Sequence, residues 1–135
     1  MKIGLDVHGV VDTFPRQLGE FAKNLIAEGH EVHIITGQEQ VEVEPLVKSL
    51  GVPFTHFFSV VDYNKSIGTD ITVDKRGTCW MDKEIWESTK GNYCESEGID
   101  MLIDNSPEYM KYMPDSCSFM YLPKDGNLDF LRFIY

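Results

Sequence analysis

Short apolar runs in this chain stop at residues able to do chemistry: Asp6 follows Ile3-Gly4-Leu5, Thr36 follows Ile34-Ile35, and Asp104 follows Leu102-Ile103. A carboxylate at the end of an apolar strand is costly to bury unless something positive answers it. Two such carboxylates brought together repel one another, and hard oxygen ligands of this kind suit Mg²⁺. A carboxylate can also attack phosphorus to give an aspartyl phosphate. That divides one difficult displacement into two easier ones, provided a metal and nearby donors hold the equatorial oxygens. The Thr36 hydroxyl, loop backbone N–H groups and one lysine are candidate donors.

Each residue also has an ordinary reading. Asp104-Asn105-Ser106-Pro107 could merely start a turn, and Thr36 alone could simply end a strand. Asp12 reads first as a helix cap and second as hydrogen-bonding support for a metal site. Asp6 is the most diagnostic, because its apolar surroundings leave the charge unexplained.

The elements that must position these residues follow from hydrophobic periodicity. Lys2 to Val7 predicts a first strand running into a loop. A helix follows, capped by Asp12 or Thr13, with Pro15 in its first turn, Leu18, Phe21, Ala22, Leu25 and Ile26 on one face, and Gly29 ending it. His30 to Gly37 predicts a second strand, Gln40 to Leu50 a second helix stopped by Gly51, and Phe54 to Val61 a third strand. Asp62 to Asp82, punctuated by Asn64, Gly68, Asp70, Asp74 and Gly77, reads as an irregular hairpin or flap. Lys83 to Glu97 predicts a helix closed by Gly98, Ile99 to Asp104 a fourth strand, and Phe119 to Leu122 a last one. This alternation, without repeat or linker, predicts one α/β domain over 1–135 with a mainly parallel sheet. In such sheets ligands bind beyond the carboxyl ends of the strands, where Asp6, Thr36 and Asp104 all fall.

Composition narrows the partners. With 135 residues there is room for one core and for a short insertion, but not for a separate substrate domain. A net charge of -10 argues against long nucleic acid as a ligand, since affinity for a polyanion comes mainly from Lys and Arg. Cys79, Cys94 and Cys117 form no CxxC and are odd in number, so reduced thiols in a cytoplasm are expected. Asp6 interrupts the amino terminus too early for a signal peptide, and no apolar run could span a bilayer, so no membrane association is expected.

Leu5-Asp6-Val7-His8-Gly9-Val10-Val11-Asp12 resembles the first motif of the haloacid dehalogenase (HAD) superfamily. Ile34-Ile35-Thr36-Gly37 is similar to its second motif and Ile103-Asp104-Asn105-Ser106 to its fourth. Lys90, on the helix before the last motif, resembles the third, with Lys83 as competitor; the segment from Lys90 to Asp104 looks like that of small HAD nucleotidases and related phosphatases. The resemblance covers nearly the whole chain in the expected order. It implies a Rossmann-like HAD fold with minimal or no cap and a Mg²⁺-dependent phosphatase acting on a small phosphomonoester, with a nucleotide as one candidate. Asp6 would be nucleophile and metal ligand, the His8 carbonyl a second ligand and Asp104 the acidic one. Gly9, Thr36, Gly37 and Lys90 would hold the substrate's phosphoryl group. Asn105 stands where relatives often have another acid, implying a weaker or water-mediated metal role.

His8 departs from the pattern, occupying the place of the aspartate that protonates the leaving group and then activates water. Imidazole titrates near neutrality and can serve as acid and base. The alternative is a domain that binds phosphate compounds, or is phosphorylated, with little turnover; a dehalogenase or another phosphotransferase on the same scaffold is a third class. The flap at 62–82 carries Tyr63, Lys65, Lys75, Arg76 and Trp80, which could stack on a base and contact phosphate, or form a solvated hairpin with Trp80 and Trp86 packed on the body. So small a lid leaves the site open, which suits bulky substrates or a lid donated by a second subunit of a homo-oligomer.

Overall fold

The computed structural model describes residues 1–134. In chain order the elements are β1 (Lys2–Leu5), α1 (Pro15–Ala27), β2 (Glu31–Thr36), α2 (Gln40–Ser49), β3 (His56–Ser59), α3 (Val60–Ser66), β4 (Thr72–Val73), β5 (Cys79–Trp80), α4 (Lys83–Glu97), β6 (Met101–Asp104) and β7 (Ser118–Tyr121). Short 3₁₀ turns cover Pro107–Tyr112 and Asp129–Phe133.

Five strands form one sheet in the order β3-β2-β1-β6-β7, and every neighbouring pair is parallel. Such a sheet must be covered on both faces, which is why its central strands read as continuous apolar runs. Ile34 packs with α1 and α2 through Leu18, Leu25, Val43 and Val47, while the next residue, Ile35, packs with Cys94 of α4 on the other face. The result is a Rossmann-like α/β layer structure. From β1 the chain steps outward through β2 and β3, then returns to lay β6 and β7 on the other side. The carboxyl ends of β1 and β6 therefore flank the point where the winding reverses, the usual ligand crevice of such sheets. No helix among the described residues is long and apolar enough to cross a membrane, and all three cysteines are free.

Two local expectations are corrected. The third strand ends at Ser59, and Val60–Ser66 is helical rather than the end of a strand and the start of a flap. The Ser59 hydroxyl accepts from Asp62 N–H at 3.1 Å, so an N-cap signature overrides the β preference of Val60 and Val61. Neither Asp12 nor Thr13 caps α1, which begins at Pro15 without a side-chain cap. The Asp12 carboxylate instead accepts from Gly9 N–H at 2.7 Å and from the Thr13 hydroxyl at 3.1 Å. Within 62–82 the regular structure beyond α3 is the antiparallel hairpin β4–β5, pairing Thr72 with Trp80 and Val73 with Cys79. α4 starts on Asp82, whose carboxylate accepts from Ile85 N–H at 3.2 Å, and stops at Gly98 in the left-handed region, φ +69°.

Candidate active site

Asp6 immediately follows β1, and its N–H donates to the Ile103 carbonyl of β6 at 3.0 Å, so both strands fix its backbone. The chain then makes a wide turn in which Val11 N–H and Asp12 N–H reach back five residues, to the Asp6 and Val7 carbonyls at 3.3 and 3.1 Å. Val7, Val10 and Val11 are buried beneath it, which throws His8 and Gly9 outward. Gly9 has φ +89°, and a Cβ there would collide with the Asn105 amide, so both conformation and contact require glycine.

Lys90 supplies the charge that Asp6 and Asp104 need. Its ammonium, 2% exposed, donates to Asp6 Oδ1 at 2.9 Å and to Asp104 Oδ2 at 2.7 Å, and lies 4.6 Å from the centre of the Tyr109 ring. Burial pushes Lys90 toward neutrality, but Asp6 and Asp104 outweigh it and hold its pKa above the ordinary lysine value. Burial also pushes the Asp104 carboxyl up, to about 6, with Asp6 adding to the effect and Lys90 opposing it. With both acids ionised the cluster carries one more negative charge than positive, in surroundings that screen poorly.

α4 is held for this reach by its neighbours. Asn64 of α3, buried, donates to the Thr89 hydroxyl at 3.1 Å and to the Val60 carbonyl at 3.0 Å. On the other side, a Cβ at Gly91 would collide with the Tyr112 carbonyl; this close approach of α4 to the 107–112 turn brings Tyr109 against Lys90. Lys83 is solvated and pairs with Glu87 at 3.7 Å, outside the cluster.

Thr36 is buried at the end of β2, whose register with β1, Leu5 opposite Ile34, carries it to the same sheet edge as Asp6. Gln38 N–H approaches its hydroxyl at 3.4 Å. A Cβ at Gly37 would lie 2.5 Å from the Trp86 ring, so the indole seats directly on the strand end. Asp104 is fully buried; Lys90 engages one carboxylate oxygen, Ser106 N–H binds the other at 2.9 Å, and a second lone pair on each remains.

His8 presents its backbone and its ring differently. The imidazole is half-exposed, with Nδ1 3.5 Å from Asp12 Oδ2 rather than on Asp6. The Asn105 amide places one of its heavy atoms 3.0 Å from both the His8 carbonyl and Asp6 Oδ2. With nitrogen there, the amide donates to both. With oxygen there, three acceptors face one another, an arrangement that a cation stabilises.

Sequence reasoning missed Tyr109 and the bridging position of Asn105, and it placed Trp86 on the body without seeing that the indole covers Gly37. Nothing in the spacing of Tyr109 marks it, whereas Gly37 and Gly91 were the available signals that something bulky approaches.

A second polar cluster lies on the same α4-covered face of the sheet, two residues before Ile35 on β2. Glu31, His33 and His56 each offer a ligand-type atom, all within 4.8 Å of one another. The imidazoles of His33 and His56 stack at 4.2 Å with planes 7° apart, so their in-plane lone pairs run in parallel sheets rather than meeting at one point. Both nitrogens of His33 are engaged, by the Tyr93 hydroxyl at 2.7 Å and Glu31 Oε2 at 2.9 Å. Burial lowers the His33 pKa against the pull of Glu31.

The chain is thus a Rossmann-like α/β domain with an acid–lysine–acid cluster at its winding reversal. No model of a known protein family matches it, and no curated protein does.

Proposed function

We propose that the chain is a Mg²⁺-dependent phosphatase of the HAD type, hydrolysing a small phosphomonoester through an aspartyl phosphate on Asp6. The observation that carries this reading is Lys90, fully buried and shared between Asp6 and Asp104 at the crevice of the sheet. A purely structural ion pair would balance its charges, whereas this cluster keeps a surplus carboxylate, as a bound cation would require.

The donor set fits Mg²⁺. Asp6, the His8 carbonyl and Asp104 would hold it, and the Asn105 amide, turned oxygen inward, adds a neutral fourth ligand. All are hard oxygens, with no thiolate or ring nitrogen among them. When bound, the ion neutralises phosphate oxygens as charge develops on them.

The protein's own groups divide the remaining work. Asp6 attacks phosphorus and the ester P–O bond breaks, with the leaving oxygen taking a proton from His8. A water then attacks the aspartyl phosphate, returning its proton to His8 and freeing Asp6. Lys90, the Thr36 hydroxyl and the Gly37 N–H hold the phosphoryl oxygens, whereas the Gly9 N–H, expected from sequence to join them, is taken by Asp12, which also orients the His8 ring. The contact of His8 with Asp12 instead of Asp6 favours one competing reading, a phosphate-binding or phosphorylatable regulatory domain with little turnover.

The test is Mg²⁺-dependent phosphate release from nucleoside monophosphates and an aryl phosphate. Release that disappears in Asp6→Asn and whose pH profile changes in His8→Asp supports the phosphatase. An inert native protein that gains activity as His8→Asp supports the regulatory domain, and activity that survives Asp6→Asn removes both.

A further inference from the structure

We propose that the cavity between the β4–β5 hairpin and the start of α4 receives the leaving group of the phosphomonoester, and that this group is a planar heteroaromatic ring stacked on Trp80. The inference rests on the phosphotransfer reading above and names its substrate class.

The cavity encloses about 470 Å³ and is lined by Gln38, Cys79, Trp80, Met81, Lys83 and Trp86. That volume suits a ring with a sugar-sized arm. Gln38 stands two residues beyond Thr36, and Trp86 both seats on Gly37 and precedes Lys90 by one turn of α4. The cavity therefore adjoins the place where the phosphoryl group would sit. No residue of the Asp6 cluster lines this cavity itself, but its wall is built from chain neighbours of Thr36 and Lys90, whereas two other cavities, of about 390 and 630 Å³, are lined by residues of α1 and α2 and of the segments 51–54 and 128–132.

Trp80 is held in place by the hairpin that carries it. It is 60% exposed, an unfavourable place for so large an apolar ring, yet it is anchored. Its indole N–H donates to Asp74 Oδ2 at 3.0 Å, while Asp74 Oδ1 accepts from Arg76 and Thr78 N–H at 2.8 and 3.0 Å. These bonds lower the Asp74 pKa, the one from Trp80 most. Glu39 ties the hairpin to the body, with Cys79 Sγ 3.8 Å and Lys65 Nζ 3.4 Å from Oε1. The only polar group of Trp80 is thus satisfied inside the hairpin, leaving the ring face for a ligand. A ring fixed before binding loses little entropy on stacking.

Chemistry at the wall selects the class. Gln38 offers a donor and an acceptor to the edge of a heteroaromatic ring, and Lys83 adds a local cation in a chain of net charge -10. Glycerol phosphate has no ring face to lay on the indole.

The test compares kcat/KM for adenosine 5′-monophosphate and glycerol 3-phosphate in the Mg²⁺-loaded protein. The ratio is expected to favour the nucleotide and to fall about tenfold in Trp80→Ala, with Trp80→Phe retaining most of it because a stacking ring remains. An unchanged ratio in Trp80→Ala overturns the proposal even though phosphate release stands. If neither substrate is hydrolysed, the phosphatase reading fails and equilibrium dialysis with adenosine 5′-monophosphate decides the cavity separately. Binding weakened in Trp80→Ala and kept in Trp80→Phe upholds it; absent or equal binding in all three proteins overturns it.

Discussion

Lys90 and Tyr93, three residues apart on α4, each reach a titratable group buried in the sheet, and the two clusters resolve that burial differently. Tyr93 and Glu31 engage both nitrogens of His33, and burial holds the ring toward its neutral form. Burial likewise pushes the Tyr93 hydroxyl up, keeping it a neutral partner. At Lys90 the charge is retained: one ammonium stands between two carboxylates, and the Asn105 amide can turn either a donor or an acceptor toward Asp6 and His8. The first cluster is complete in itself and serves to lock α4 to β2. The second leaves electrostatic demand unmet, and unmet demand beside an open sheet edge distinguishes a site from a lock.

The largest effect expected is on turnover. Asp6→Asn should reduce phosphate release on the order of 10⁴-fold or more, as removal of a nucleophile does. It should leave urea stability unchanged or higher, because it relieves the surplus charge. Lys90→Met should lower stability by about 3–5 kcal/mol in urea unfolding, since it strands two buried carboxylates together. Mg²⁺ at about 100 times its dissociation constant should raise unfolding free energy by about 2.7 kcal/mol in the native protein, and by far less in Asp6→Asn. His33→Leu should lower stability by about 1–3 kcal/mol by taking a partner from Tyr93, while leaving kcat/KM unaltered.

The smallest effects are opposite pH slopes in the Mg²⁺-free protein. His33 has a folded pKa below its unfolded one, so its contribution is present above about pH 6.5 and lost as pH falls toward the folded value. Asp104 has a folded pKa of about 6, above the unfolded value, so the folded state binds the extra proton and gains stability as pH falls from about 6 toward about 4. Urea midpoints across this range should lose the first slope in His33→Leu and the second in Asp104→Asn. Parallel slopes in both variants would mean the clusters do not differ as described.

Much of the scaffold was legible in the chain because burial on both faces writes itself as apolar runs. Asp6, Thr36 and Asp104 were visible as interruptions at the ends of those runs, and their shared edge follows from strand order. What was illegible depends on helix phase and on close approaches. Lys90 and Lys83 are both lysines of α4, and only the packing of Thr89 on Asn64 and of Gly91 on Tyr112 shows which one enters the sheet. Ser59 and Asp62 carried a cap signal that the β-branched pair between them masked. Asp12 reads first as a cap of α1 and second as a hydrogen-bonding support of the site, and the wide turn after Asp6 brings it back to Gly9 and His8, in keeping with the second.

The central claim is a covalent phosphoryl group on Asp6, and it is tested most directly by acid quench during turnover of an aryl phosphate, followed by borohydride reduction and peptide mass spectrometry. The account predicts that Asp6, and no other carboxylate, is converted to homoserine only when substrate and Mg²⁺ are both present. Phosphate release with Asp6 left intact, or an adduct at another residue, would contradict it.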